Sequence, residues 1–192
     1  MGDSSTVEQR TLTPLILVRI QVPQPVDTIE IFPFFRLDRN DRFESHFESY
    51  VPVLASATRM AKNNGLRLKA HVGEWGSADD VWRAVEELEL DEVQHGIAAA
   101  SSSAVMRMLA ENHIRLNVCP TSNVMLGRVD RLETHPIRRL FDAGVKVTVN
   151  TDDVLVFGNG VSEEFLSLYQ AKVFNADELD AIRRAGLSDV GE

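Results

Sequence analysis

Four polar motifs, each at the end of a β-prone apolar run, constrain the fold of this chain more than any other feature. They read His-Val-Gly-Glu at residues 71–74, Gln-His-Gly at 94–96, Cys-Pro-Thr-Ser-Asn at 119–123 and Asn-Thr-Asp-Asp at 150–153. The step from His71 to His95 is 24 residues, and the step from His95 to Cys119 is 24 again. A helix-like segment follows each motif, so the pattern predicts strand–loop–helix units whose strand ends share one side of a sheet.

The segments between the motifs carry the start and stop signals of helices. Residues 77–80 have the form of a capping box, Pro136 suits the first turn of a helix, and Gly144 suits its end. The predicted strands lie at residues 66–70, 92–94, 115–118 and 145–149, and the predicted helices lie at residues 47–63 and from Ser77, Ser103, Pro136, Ser162 and Asn175 onward. Strand and helix therefore alternate four times, which favours a parallel sheet with right-handed crossovers.

This alternation predicts an α/β fold that is part of a TIM (β/α)8-type barrel. The chain has 192 residues, just below the roughly 200 at which complete barrels begin. The β-prone stretches at residues 12–22 and 28–35 lie close to prolines, so the second is expected at a sheet edge at best. We therefore predict an unassigned segment over residues 1–35, which replaces the first part of the barrel, and a C-terminal half-barrel over residues 36–192.

Composition excludes several classes of partner. The formal net charge is −9, which argues against nucleic acid or an anionic membrane, because both need clustered Lys and Arg. Small neutral or cationic ligands remain open. The single cysteine, Cys119, cannot form an internal disulfide, and the apolar run at residues 15–18 is too short for a signal or membrane segment. We expect a cytoplasmic protein.

The four motifs together point to chemistry, although one His at a strand end is more often a hydrogen-bonded structural residue. His71, His95 and the pair Asp152 and Asp153 follow three strands on one face, where they can supply metal ligands and proton transfer. The two aspartates follow an apolar strand, where charge is costly unless it is paired or metal-bound. The spacing of His71 and Glu74 is not the helical zincin pattern, and no Pro-Cys-x-x-Cys pair of a nucleobase deaminase is present.

Other titratable residues have simpler explanations. Cys119 follows a strand that is predicted to be buried and has no obvious base partner, so core packing is favoured over a nucleophilic role. His113 and His135 stand at helix ends, and His46 lies in a polar run before a helix. These three histidines are expected to be helix-capping or surface residues.

At the four motifs the chain resembles the adenosine deaminase family, a branch of the metal-dependent amidohydrolases. The family strings are His-Ala-Gly-Glu, Gly-His-Gly, Cys-Pro-x-Ser-Asn and Asn-Thr-Asp-Asp-Pro. This chain departs from them at Val72, Gln94 and Val154. The resemblance covers roughly residues 36–192 and implies the C-terminal half of the family's barrel.

The resemblance implies a role for each motif. His71 and Asp152 would be zinc ligands, and Asp152 would also contact the attacking hydroxide. Glu74 would protonate the purine nitrogen N1, and His95 would position and stabilise the hydroxide. These roles suit the residue types, because zinc lowers the pKa of bound water and a carboxylic acid can protonate the ring.

The purine itself would be bound by further residues of the same motifs. Asp153 would hydrogen bond to purine N7, and Gly73 is assigned to substrate binding. The implied reaction is the zinc-dependent hydrolytic deamination of adenosine or a related 6-aminopurine to the 6-oxo product and ammonia. The implied partner is therefore a small-molecule purine.

One departure from the family concerns the metal site. The family's first strand supplies a His-x-His pair, whereas the five histidines of this chain, at positions 46, 71, 95, 113 and 135, include no such pair. The family glycine that holds the purine is matched by Phe34. We therefore expect one zinc per complete site but weak binding by this chain, because catalytic zinc has typically three protein ligands.

Two alternatives to an adenosine deaminase stay open. The first is another amidohydrolase, acting on adenine or a methylthio-nucleoside. The second is a non-catalytic half-barrel that serves as an assembly or regulatory module. Because half a barrel exposes sheet edges, self-association or pairing with a complementing N-terminal half is also expected.

Overall fold

The central feature is a six-stranded sheet in which four consecutive strands lead to the four motifs. This computed structural model describes residues 17–20, 28–32, 36–37, 43–44 and 57–187. In chain order the strands are β1 (Leu17–Ile20), β2 (Thr28–Phe32), β3 (Arg36–Leu37), β4 (Phe43–Glu44), β5 (Arg67–Val72), β6 (Glu92–His95), β7 (Arg115–Val118) and β8 (Lys146–Val149). Strands β3 and β4 pair separately with each other.

The sheet order confirms the predicted parallel repeat. The strands run β1-β2-β5-β6-β7-β8, and every pair from β2 onward is parallel, while β1 is antiparallel to β2. His71 pairs with Gln94, and Asn117 pairs with Thr148. Four strand–helix units, β5 to β8, therefore follow one another as the motif spacing predicted.

Helices lie between and after these strands. They are α1 (residues 57–63), α2 (Ala78–Leu88), α3 (Ser103–Glu111), α4 (Pro120–Met125), α5 (Ile137–Asp142), α6 (Val154–Phe157), α7 (Val161–Gln170) and α8 (Ala176–Leu187), with 3-10 turns η1 (Ile97–Ser101) and η2 (Leu132–Thr134). Helices α2, α3, α5, α7 and α8 begin close to the predicted positions, whereas α4 and α6 were not predicted. Ser77 and Asp80 form the predicted capping box. The cap of α3 is Ser102 rather than Ser103, and Pro136 is the residue before α5 rather than within it.

Three strand predictions need correction. Strand β5 extends to Val72 and strand β6 to His95, so His71 and His95 lie within their strands instead of after them. Strand β2 is not at a sheet edge, because it pairs with β1 on one side and β5 on the other. Its residues Thr28–Phe32 are hydrogen-bonded to both neighbouring strands.

Other expectations fall outside the described residues. These include Phe34, His46 and the first part of the predicted helix over residues 47–63. Strands β1 and β2 come from residues 1–35 and join the same sheet as the barrel strands. The division at residue 35 and the expected self-association stay predictions. No helix in the described residues is long and apolar enough to cross a membrane.

The outer face of the sheet builds the core. Along β5 the buried residues alternate with half-exposed ones, so that Leu68, Ala70 and Val72 share one face. They belong to a single buried cluster that includes Val81 and Leu88 of α2. The apolar side chains of β5 recur every two residues and those of α2 about every 3.6 residues, and the two faces pack together in one buried layer.

The inner face is polar and is connected by hydrogen bonds. Glu92, only 4% exposed, contacts Arg67 at 3.0 Å and also accepts from Arg115. Asn117 Nδ2 donates to Glu92 Oε2 at 2.8 Å, and Thr148 Oγ1 donates to Asn117 Oδ1 at 2.8 Å. Burial raises the pKa of Glu92, but its hydrogen bonds to Arg115 and Asn117 and the charges of both arginines outweigh burial and lower it.

We expect Glu92→Gln to destabilise the fold by about 3 kcal/mol, because it leaves the Arg115 charge without its buried partner. The free energy of unfolding in urea measures this. Glu87→Gln is the matched control, since Glu87 accepts from Arg83 at 3.0 Å on the helix surface and should cost well under about 1 kcal/mol. Equal losses in the two variants would contradict a structural role for the inner-face pair.

Candidate active site

The polar motifs meet at the carboxyl ends of β5 to β8. Within the part of the chain that the structure describes, Glu74, His95 and Asp152 form a group whose ligand atoms all lie within 4.8 Å of one another. The His71 ring lies beside the His95 ring, with centroids 5.3 Å apart. Three of the predicted site residues thus form one cluster, and His71 adjoins it rather than belonging to it.

Backbone packing at Gly73 fixes the loop that carries Glu74. Gly73 has φ +75°, and a Cβ there would stand 2.4 Å from Val81 Cγ2 and 3.2 Å from Gly96 Cα. The amide of Ala98 donates to the Gly73 carbonyl at 2.8 Å. Because only glycine combines this φ with such close approach, the loops after β5 and β6 are locked together.

Glu74 has the environment of a proton donor. Burial, with the charge of Asp152, raises its pKa to about 7, although a hydrogen bond from Asn123 and the charge of Arg128 act in the opposite direction. Asn123 Nδ2 donates to Glu74 Oε1 at 2.8 Å, and His95 Nδ1 lies 3.5 Å from the same oxygen. A carboxyl group with a pKa near neutrality can hold and release a proton at physiological pH.

Asn123 contacts Glu74, and His135 in turn contacts Asn123. Asn123 is fully buried, and its Oδ1 lies 3.4 Å from His135 Nε2. His135 is 2% exposed, so the prediction of a surface residue was wrong. The capping alternative was right, because His135 Nδ1 accepts from the amide of Ile137 at the start of α5.

The two aspartates after β8 differ in their contacts. Asp152 is exposed and joins the cluster with Glu74 and His95. Asp153 caps α6, since its Oδ1 accepts from the amides of Leu155 at 2.9 Å and Val156 at 3.2 Å. The assignment of Asp153 to purine N7 stays a prediction, as does that of Gly73 to the substrate.

Cys119 is a core residue. It is fully buried, and Gln94 Nε2 donates to its sulfur at 3.2 Å. Burial, with the charges of Asp152, Glu164 and Glu74, raises the pKa of the thiol and so disfavours a thiolate.

Three supporting residues were missed as functional candidates in the sequence, namely Asn123, His135 and Glu164. Asn123 was visible, since it ends the Cys-Pro-Thr-Ser-Asn motif. Glu164 is buried and accepts from the amide of Thr121 at 3.1 Å, which caps the start of α4. It lies 43 residues from Thr121, and no local pattern connects the two.

A cavity of about 800 Å3 opens beside Glu74. Ile97 and Ala98 of η1 line one side, and Arg128 places its guanidinium carbon 3.4 Å from the centre of the Trp75 ring. Glu74 therefore lines a cleft whose walls carry apolar groups and charges of both signs, since Glu133 and Asp142 line it as well as Arg128.

Comparison with known sequences identifies the family. The adenosine deaminase family profile matches residues 36–189, which is most of the chain. The chain belongs to the adenosine deaminase family. A putative adenosine/adenine deaminase of Treponema pallidum is 48% identical over 128 residues, which cover 65% of this chain and 43% of that protein.

Two solved structures share the fold. Adenine deaminase from Arthrobacter aurescens is 32% identical, with a TM-score of 0.66, and the match covers 70% of this chain and 41% of that one. An amidohydrolase from Burkholderia ambifaria with bound Zn is 28% identical, with a TM-score of 0.64, over 70% of this chain and 38% of that one. This chain thus spans about two-fifths of the length of the proteins it matches, and the partial-barrel prediction is confirmed.

The buried His135 should make the fold sensitive to acid. Burial lowers its pKa from 6.5 to about 4, so the unfolded chain binds a proton between these values while the folded chain does not. Stability should therefore fall as pH drops through this window, by up to about 3 kcal/mol from this residue.

The measurement is urea unfolding of the wild type and His135→Gln at pH 7 and near pH 4. The variant has no titrating group at this position, so it should lose less stability than the wild type on acidification. Equal losses would show that His135 does not contribute to the acid sensitivity.

Proposed function

We propose that this chain carries the proton donor, the hydroxide-positioning histidine and part of the metal site of a zinc-dependent 6-aminopurine deaminase. The observation that carries the proposal is the meeting of Glu74, His95 and Asp152 at the carboxyl ends of parallel strands. The reaction replaces the 6-amino group of adenosine or adenine by oxygen from water and releases ammonia. Both substrates suit the names of the relatives, which are adenosine and adenine deaminases.

The residues present suit a zinc ion. Imidazole nitrogen and carboxylate oxygen are donors that zinc accepts, and His71 and Asp152 are the proposed ligands. The amidohydrolase from Burkholderia ambifaria, which binds Zn, supports the choice of metal. A zinc ion in this site would lower the pKa of a bound water molecule, so that hydroxide is available near neutral pH.

Glu74 supplies the proton that makes attack on the ring possible. Addition of oxygen at purine C6 places an electron pair on N1, and Glu74 donates its proton there. Its raised pKa keeps a substantial protonated fraction at neutral pH. Asn123 holds Oε1, which fixes the direction of the carboxyl group.

His95 is proposed to hold the incoming oxygen nucleophile. It is 2% exposed, and its Nδ1 faces Glu74 and Asn123. A fixed imidazole beside the reacting centre orients the nucleophile and stabilises developing charge without reorganising. Asp153 is proposed to contact purine N7 while its Oδ1 caps α6.

Two alternatives are separated by simple assays. A panel of adenosine, adenine and methylthioadenosine distinguishes an adenosine deaminase from another aminopurine amidohydrolase. Absence of both turnover and zinc binding, in the presence of a His-x-His strand, would favour a non-catalytic assembly or regulatory module. A cytoplasmic location is part of the proposal, because Cys119 suits a reducing compartment.

We expect this chain to retain well below one zinc per molecule after dialysis, because two proposed ligands leave most of the ion hydrated. Elemental analysis measures the bound metal. Asp152→Ala should lower retention further, whereas Asp130→Ala, at an exposed position, should not. One tightly held zinc per chain would show that a ligand has been overlooked.

We expect three distinct phenotypes in an assembly that includes the family's His-x-His strand. Glu74→Gln should reduce deamination by about 100-fold or more with metal retained, because it removes the acid alone. Asp152→Ala should lose metal and activity together. Asp153→Ala should raise KM with metal retained, whereas Asp153→Asn keeps a capping oxygen and should be milder.

The assay follows loss of aminopurine absorbance and zinc content in parallel. Near-normal turnover by Glu74→Gln would refute the proton-donor assignment. Loss of metal in Asp153→Ala would instead place that residue in the metal site.

A further inference from the structure

We propose that His135 is a positioning residue for Glu74, and that it acts through the side-chain amide of Asn123. The inference rests on the proposed function only in taking Glu74 as the proton donor. The three side chains form a line of hydrogen bonds from the start of α5 to the cluster of Glu74, His95 and Asp152. His135 lies 61 positions from Glu74 in sequence, and no motif suggested the connection.

A backbone amide sets the direction of the whole line. The amide of Ile137 lies 3.1 Å from His135 Nδ1 and can only donate, so Nδ1 must be the unprotonated nitrogen. The proton of the neutral ring is then on Nε2. That nitrogen faces Asn123 Oδ1 at 3.4 Å, so His135 donates and Asn123 accepts.

The orientation of Asn123 follows from this donation. With Oδ1 facing His135, Nδ2 faces Glu74 Oε1 at 2.8 Å and His95 Nδ1 at 3.5 Å. If the Asn123 amide were flipped, its Oδ1 would face the Glu74 carboxyl oxygen. Its Nδ2 would then face His135 Nε2, which already donates. His135 thereby selects one of the two orientations of the Asn123 side-chain amide.

Asn123 cannot escape the arrangement by moving its backbone. The backbone amide of Asn123 donates to the Cys119 carbonyl at 3.1 Å. Its backbone carbonyl accepts from the backbone amides of Arg128 at 2.8 Å and Val129 at 3.1 Å. Asn123 is fully buried and His135 is 2% exposed where it lines the cavity beside Glu74, so the protein itself supplies the partners of both side chains. Burial also lowers the pKa of His135 to about 4, which keeps the ring neutral at physiological pH.

The consequence for Glu74 is a fixed carboxyl group. The Asn123 N–H occupies Oε1, which leaves Oε2 to carry the transferable proton. Proton transfer depends steeply on the placement of the donor, and misplacement by about 1 Å can cost about 100-fold in rate. Loss of the His135 donor should therefore lower kcat while leaving KM and zinc content near their original values.

Two substitutions of His135 separate this role from a purely structural one. His135→Gln places an amide N–H near the position of Nε2 and can still donate to Asn123. His135→Asn places an oxygen near the position of Nδ1 and can still accept from Ile137, but it lacks the donor. Positioning predicts that Asn lowers kcat about 10- to 100-fold and that Gln recovers most of it. A structural role predicts the reverse order, because Gln is the variant that loses the α5 contact.

A second readout needs no activity. In 15N NMR of the 192-residue chain, the His135 ring should be the Nε2–H tautomer, and the Asn123 side-chain amide signals should shift in Glu74→Gln and His135→Asn more than in His135→Gln. His113→Asn and His113→Gln are matched controls at an exposed histidine and should leave these signals in place. An Nδ1–H tautomer of His135, or Asn123 side-chain amide signals that do not shift in His135→Asn, would overturn the proposal.

The two experiments also separate this inference from the proposed function. If the assembly does not deaminate aminopurines, the proposed function fails, while the NMR result still decides the hydrogen-bond line. If His135→Asn does not fold, the tautomer in the wild type still decides it. In an active assembly, His135→Asn should add no further loss to Glu74→Gln, and an additive loss would count against positioning.

Discussion

The site depends on one constraint, the parallel hydrogen-bonded pairing of strands β5 to β8. Each strand advances from the same side, so the residues after Val72, His95, Val118 and Val149 come out at one edge of the sheet. Gly73 and Gly96 then allow the first two loops to touch, with Gly96 donating to the Val72 carbonyl at 3.0 Å. Without that approach Glu74 and His95 would lie further apart, since Glu74 is in the loop after β5 and His95 ends β6.

The buried ion pairs of Glu92 and the candidate site at Glu74 lie at opposite ends of the strands of this sheet. At the amino ends, Glu92 is held ionised by two arginines and Asn117, and this arrangement keeps its pKa low. At the carboxyl ends, Glu74 has one amide donor and a neighbouring carboxylate, and its pKa is raised to about 7. A buried glutamate therefore stays an anion or takes up a proton near neutral pH according to the groups that surround its carboxylate.

The sequence predicted the parts of this structure that local patterns determine. Strand positions followed from apolar runs, and the capping box at Ser77 followed from spacing, because both depend on neighbours within a few residues. His135 escaped prediction as a buried residue, since the partner of its Nε2, Asn123, lies on α4 and no local pattern connects the two. Strand β2 was placed at an edge because the β-prone stretch of residues 28–35 contains Pro33, although residues 28–32 pair with strands on both sides.

The support of the proton donor and the binding of metal differ in where their residues come from. Glu74 receives Asn123 from α4, whose first turn is capped by Glu164 of α7, so the donor is fixed by segments that all lie within residues 74–164. The metal set of the family needs a further His-x-His strand, which this sequence does not contain. Under the proposed function, this chain would supply all the hydrogen-bond partners of the proton donor but only two of the metal ligands. Its catalytic activity would then depend on metal ligands from outside these residues.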